Sequence, residues 1–194
     1  MKDEVLRNVL LQSFNLNPAN LVLAKQIHSA NVIKVSKSDA GKFIENCDGL
    51  ITSDKNLILG IFTADCMPVL ISSKDGSVRA AVHSGWKGLA GGTLENAVNA
   101  FKEFGVAPQE LEVYIGPHIR ECCYEVGPDF ERIFGAKLSD NKFSLAKIAI
   151  GKMIKLGISE KDISVSPDCT FCGKKGYFSY RKNKTENRHL TFIF

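Results

Sequence analysis

Histidine and tryptophan are scarce in this chain, with four His and one Trp in 194 residues. Four imidazoles can complete one compact metal site but not a histidine-rich multi-metal centre. No apolar run approaches the ~20 residues that cross a bilayer, and the opening MKDEVLRNVL has no signal-peptide pattern. The 25 basic and 21 acidic residues, net +4, form no Lys/Arg block interleaved with aromatics, which argues against nucleic acid as a partner. No repeat, low-complexity tract or linker composition divides the chain. What is there is a 44% hydrophobic sequence, long enough to bury its own core. It reads as one domain over residues 1–194, cytoplasmic, with no membrane partner. The six cysteines at 47, 66, 122, 123, 169 and 172 read as thiols, since no export signal accompanies them.

Apolar positions Val5, Leu6, Val9 and Leu10 fall at helical spacing in a helix that begins at Met1. Strand-like runs follow at 21–27, 31–35, 48–52, 57–61, 68–73 and 78–83, and later at 111–115, 162–165, 177–181 and 189–194. A helix is expected from Thr93 to Phe104, capped by Thr93, with Leu94, Ala97, Val98 and Phe101 on one face. Another runs from Ser144 to Leu156, where Gly157 stops it. Strands outnumber helices and hairpins are expected to outnumber βαβ units. The fold class is therefore α+β with a mixed or largely antiparallel sheet.

Asp75-Gly76, between two apolar runs, is the strongest hairpin signal in the chain. With those two residues as the loop, Ile71 faces Ala80, Val69 faces Val82 and Pro68 faces His83. Val69, Ile71, Val78, Ala80 and Val82 then share a core face. The other face, with Pro68, Leu70, Ser72, Arg79, Ala81 and His83, is mixed. Extending the first strand backwards puts Cys66 on the His83 side, diagonal to it at roughly 7–8 Å between Cα atoms. Side chains leaning together from that separation can share a metal, whereas a one-residue slip would part them. A lone cysteine is more often a small buried hydrophobe and a lone histidine a satisfied polar group.

The surroundings favour the site. Asp65 adjoins Cys66, and His83 opens a glycine-rich stretch, 83–92, that ends at a helix start. Such a stretch lets backbone approach a ligand, with Lys87 adding charge, or else serves only tight packing. Tetrahedral zinc with one open position needs a third ligand. His28 and His118 compete for that place, and spacing does not choose between them. Cys169 and Cys172 form a C-x-x-C that Cys122 and Cys123 could complete. Adjacent cysteines make poor partners for one tetrahedron, so these four are expected to be ordinary thiols.

Several motifs occur together and in order: Gln26-x-His28, Thr63-Ala64-Asp65-Cys66-Met67-Pro68, His83-Ser84-Gly85-Trp86-Lys87-Gly88 and Ile115-Gly116-Pro117. Cys122-Cys123-Tyr124-Glu125-Val126-Gly127 and Phe178-Ser179-Tyr180-Arg181 with Arg188-His189-Leu190 complete the set. From about Val22 onward the chain resembles the YfiH-type laccase-domain proteins, also called multicopper polyphenol oxidase-like. The resemblance implies a purine nucleoside phosphorylase acting on adenosine, inosine, guanosine and methylthioadenosine, with adenosine deaminase activity. It implies mixed sheets in a sandwich flanked by helices, akin to cysteine-histidine toxin enzymes. Its metal triad matches His28, Cys66 and His83. The family's N-terminal strand segment has no counterpart here, which is expected to open one side of the pocket. His118 stands after Gly-Pro where the family carries a small residue, and Arg120-Glu121 precede Cys-Cys where it carries Gly-Pro.

Deamination needs a nucleophile from water near neutral pH, which a metal such as zinc, or copper as the alternative, supplies. Phosphorolysis needs cationic anchors for phosphate and a proton donor for the leaving purine. Lys87, Arg181 and the glycine-rich helix start are the phosphate candidates. Cys66, His83 and Asp65 are the catalytic candidates, Asp65 as a proton shuttle or as a support for a ligand. Arg188 is given only a salt bridge. A copper phenol oxidase is the competing reading, but Met67 would point away from Cys66 in a strand. A metal-free hydrolase with Cys66 as nucleophile and His83 as base, and an inactive zinc-binding protein, complete the alternatives.

Overall fold

A computed structural model describes residues 4–138 and 140–194. The described chain runs α1 (Glu4–Ser13), β1 (Leu21–Ala24), β2 (Val32–Lys34), β3 (Phe43–Ile44), β4 (Gly49–Thr52), β5 (Ile58–Thr63), β6 (Met67–Ser73) and β7 (Arg79–Ser84). It continues through α2 (Trp86–Gly91), α3 (Thr93–Lys102), β8 (Leu111–Ile115), α4 (Asp129–Phe134), α5 (Leu145–Lys155), β9 (Ile163–Val165), α6 (Tyr180–Asn183) and β10 (His189–Ile193). Two sheets result, in the orders β10-β5-β1-β3 and β2-β4-β7-β6-β8-β9. Each mixes parallel and antiparallel pairs.

The expected hairpin forms in the expected register. Pro68 pairs with His83, Val69 with Val82 and Ile71 with Ala80. Val69, Ile71, Val78, Ala80 and Val82 pack in one core with Leu94, Ala97, Val98 and Phe101 of α3 and with α5. The face that read as mixed is also interior, because the smaller sheet covers it. Leu70 and Ala81 meet Val22, Leu59 and Ile61 there. Arg79 is buried at its margin, where its guanidinium donates to the carbonyls of Asp54 at 2.7 Å and Leu57 at 3.0 Å. Helix, small sheet, large sheet and helices thus stack as the expected sandwich.

Some local expectations change. Among the described residues only β6–β7 is a hairpin of consecutive strands; β8–β9 are parallel neighbours with two helices between them, so hairpins do not predominate. Residues 177–181 are no strand, because Ser179 accepts from the Lys182 N–H and starts α6 instead. A helix already begins at Trp86, within the glycine-rich stretch. Gly92 at φ +93° separates it from α3 and takes the cap position expected of Thr93. In α1 the apolar stripe faces solvent: Val5, Leu6 and Val9 are more than half exposed, and Arg7 and Leu11 are the buried residues. The expected helix start at Met1 lies outside the described residues. Ser144 caps α5 as expected, and Gly157 follows it at φ +102°.

Candidate active site

Asp48, fully buried just before β4, organises the site, and its position carries no motif that would single it out in the sequence. Its Oδ1 accepts from the His28 N–H at 3.0 Å and lies 2.7 Å from His83 Nδ1. Its Oδ2 accepts from the Ile27 N–H at 3.2 Å, the Ser29 N–H at 2.7 Å and the Ser29 hydroxyl at 2.8 Å. One carboxylate therefore shapes the loop that carries His28, which sits at φ +62°, and orients the His83 ring. Burial pushes the Asp48 carboxyl up, but the bonds from His83 and Ser29 outweigh it and hold it at about 2. With Nδ1 turned to a carboxylate, His83 presents Nε2 to the opposite side, the arrangement of metal-binding histidines.

His28, Cys66 and His83 bring their ligand atoms within 4.8 Å of one another. His28 and His83 stand edge to face, ring centroids 4.9 Å apart. Burial works against charge on Cys66 and His83, yet the neighbouring rings pull the thiol down, and Asp48 and the sulfur push the imidazole up. Gly85 makes room for this convergence: a Cβ there would lie 2.9 Å from Cys66 Sγ and 3.4 Å from His28 Cδ2. Two imidazoles and a thiolate in such a cradle suit zinc or copper with a position left open.

The three groups line a cavity of about 860 Å³, together with Asp65, Tyr124, Tyr180 and Arg181. Arg7 from α1 and Arg188 also line it. Gln26 fixes one wall, its amide donating to the Phe62 carbonyl and accepting the Phe62 N–H, both at 2.7 Å. Asp65, at φ +92°, accepts from the Thr170 hydroxyl and the Arg181 N–H, each at 2.7 Å, so both oxygens brace neighbouring loops. The Arg181 guanidinium donates to the Glu125 carbonyl at 2.8 Å and lies 5.2 Å from the Tyr124 ring centre.

Not every candidate joins this group. His118 is 1% exposed, its Nδ1 2.9 Å from the Gly116 carbonyl, and it is absent from the cavity wall and from the ligand cluster. Of the two, His28 is the histidine that lies beside Cys66 and His83. Lys87 lies outside the cavity wall, its Nζ 5.7 Å from the Trp86 ring centre. Within 83–92, Gly88 serves packing: a Cβ there would come within 2.6 Å of Thr93 Oγ1 and 2.9 Å of the Ser29 carbonyl. Met67 is fully buried in the main core, away from the cavity. Cys122, Cys123, Cys169 and Cys172, expected as unrelated thiols, gather into a second cluster with sulfurs within 4.8 Å of one another. Asp48 and Arg7 are not singled out by the sequence, Gln26 and Tyr124 stand in its motifs without a role, and Arg188 was expected to make only a salt bridge. Their partners are too remote in the chain for a local pattern to reveal.

Residues 2–194 match the profile of the family described as multi-copper polyphenol oxidoreductase laccase. A purine nucleoside phosphorylase of Clostridium acetobutylicum is 35% identical over 180 residues, covering 87% of this chain and 74% of that protein. One from Aquifex aeolicus is 33% identical over 177 residues, covering 89% and 82%. Among solved structures, YlmD from Geobacillus stearothermophilus superposes with a TM-score of 0.91 at 26% identity, over 98% of this chain and 80% of that one. The hypothetical protein YfiH of Bacillus licheniformis gives 0.90 at 26% identity, over 97% and 79%. With its length matched almost throughout and relatives above 30% identity, the chain belongs to the multi-copper polyphenol oxidoreductase laccase family.

Proposed function

We propose that this chain is a metal-dependent purine nucleoside phosphorylase that cleaves adenosine, inosine, guanosine or methylthioadenosine with phosphate and also deaminates adenosine. The observation that carries the reading is the convergence of His28, Cys66 and His83 in a cavity whose wall also holds arginines and tyrosines. The names of the relatives support the phosphorylase part of this reading. A zinc ion, or copper as the alternative, held by these three residues would supply a Lewis acid able to make a nucleophile of water near neutral pH.

The chain's own groups supply the rest. Arg181, with Arg188 and Arg7 on the same wall, brings positive charge suited to phosphate oxygens. Tyr124 and Tyr180 add aromatic surface to the wall for the purine. Asp65 holds Arg181 and the Thr170 loop in place, so we assign it a positioning role. Asp48 keeps His83 in the tautomer that leaves Nε2 for the metal. Six free thiols suit a reducing compartment such as the cytoplasm. Among the described residues no helix is long and apolar enough to cross a membrane.

Copper-dependent phenol oxidation fits less well, since Met67 is withdrawn into the core and the chain's histidines do not furnish a further oxygen-reducing cluster. A metal-free hydrolase has one point in its favour, the Asp48–His83–Cys66 line, which resembles a nucleophile relay. The second imidazole beside the sulfur favours metal. The deciding experiment is an adenosine-plus-phosphate assay with metal content measured on the same sample. Purine release that is abolished by Cys66→Ala and by chelation supports the proposal. Activity surviving chelation but lost to a thiol alkylator favours the hydrolase. Bound zinc with no turnover of any nucleoside overturns the enzymatic reading.

A further inference from the structure

We infer that Cys122, Cys123, Cys169 and Cys172 form a second metal centre, a closed four-thiolate zinc site. All four sulfurs lie within 4.8 Å of one another, and Cys122 Sγ and Cys172 Sγ are 3.6 Å apart. A tetrahedron of 2.3 Å Zn–S bonds has S···S edges of about 3.8 Å, so small adjustments seat an ion.

The backbone supports this at both ends. Cys169-Thr170-Phe171-Cys172 is followed by Gly173, whose N–H donates to the Cys169 carbonyl at 2.8 Å. A Cβ on Gly173 would lie 2.4 Å from that oxygen, so this tight turn admits only glycine. Backbone N–H groups of Arg120, Phe171 and Cys172 point to Cys169 Sγ, the first at 3.4 Å. Such donors stabilise a metal-bound thiolate. The objection to neighbouring cysteines is met by a turn: Cys123 and Tyr124 both donate backbone N–H bonds to the Arg120 carbonyl. In that turn the sulfurs of Cys122 and Cys123 both reach the cluster. Cys122 and Cys172 are exposed, which gives an ion a way in.

Four thiolates leave no open position, so the centre is structural. It ties segment 120–124, which carries Tyr124, to segment 169–173, which carries Thr170 and through it Asp65. The staple thus braces one wall of the cavity from behind. This inference is independent of which reaction the cavity performs.

The test begins with the full chain carrying His28→Ala, Cys66→Ala and His83→Ala together, reconstituted with zinc under reducing conditions and freed of loose metal. One zinc per chain is expected, with four of the five remaining thiols protected from alkylation until a chelator is added. Cobalt in its place is expected to show strong thiolate-to-metal absorption in the near ultraviolet. In the otherwise native chain, Cys122→Ser, at an exposed position, is expected to bind one zinc fewer than the unmodified protein. Absence of zinc from the triple variant with zinc content unchanged by Cys122→Ser overturns the inference, as does a Cys122–Cys172 disulfide forming under the same conditions.

Discussion

Replacing Asp48 by Asn probes the centre of the site while keeping its shape. The carboxylate accepts five hydrogen bonds in full burial, two at Oδ1 and three at Oδ2. Whichever way the amide turns, an NH2 group faces at least two donors that have lost their acceptor. Each such buried group costs about 1–3 kcal/mol, so two cost about 2–6 kcal/mol. At roughly 2–4 °C per kcal/mol for a chain of this size, the thermal midpoint of the metal-free protein falls by roughly 4–24 °C. Zinc affinity at His28, Cys66 and His83 falls about 10–100-fold, as the His83 ring and the His28 loop lose their anchor. Calorimetry of the metal-free protein and competition titration with a chromophoric chelator give the two readouts. The pH dependence has a definite sign. A carboxyl held at about 2 against 3.8 unfolded contributes roughly 2–3 kcal/mol. That stability is fully present above the unfolded value and is lost as pH falls through about 2. The gap between native and Asp48→Asn proteins should therefore narrow on acidification below pH 4. An Asn variant with native zinc affinity and a midpoint within about 2 °C of native would refute the role given to Asp48.

Three further perturbations separate site from scaffold. Gly85→Ala has an acceptable backbone, φ −76° and ψ 172°, so its effect is confined to the Cβ pushed against Cys66 and His28. Bound zinc measured by elemental analysis should drop while circular dichroism stays native, and full metal content would contradict the packing argument. Arg181→Ala removes a charged donor fork from the cavity wall, and KM for phosphate should rise about 10–150-fold, the equivalent of 1.5–3 kcal/mol. An unchanged KM would move phosphate recognition to Arg188 or Arg7. Phe101→Ala empties a fully buried position on α3. It should lower unfolding free energy by about 3–5 kcal/mol in denaturant titration, and a cost under about 1 kcal/mol would mean the core collapses into the gap.

Wherever residues close in sequence set the geometry, the chain could be read directly. Asp75-Gly76 makes the turn, the turn sets the register of β6 against β7, and a two-residue period then assigns Val69, Ile71, Ala80 and Val82 to one core. The same turn places Pro68 beside His83 and so brings Cys66 near it. The caps of α5 follow from Ser144 and Gly157 for the same reason: their partners lie within one turn of helix. Periodicity failed where the environment lies across the fold. The apolar stripe of α1 points to solvent although its spacing is helical, and a strand-like run at 177–181 yields to the Ser179 cap.

Only the packing of the two sheets decided the rest. Asp48 meets His28 and His83 across 20 and 35 residues, Gln26 meets Phe62 across 36, and Asp65 meets Arg181 across 116. His28, and not His118, comes beside Cys66 and His83 through the path of a loop bent around one carboxylate, which no spacing rule encodes. The vicinal cysteines joined the C-x-x-C about 50 residues away because His118 and Cys169 pair as a short parallel bridge. Local turn chemistry and side-chain alternation act over a few residues and are written in the order of the chain. A buried carboxylate with five donors, or four sulfurs at one point, exists only once distant segments have been pressed together by the core between them.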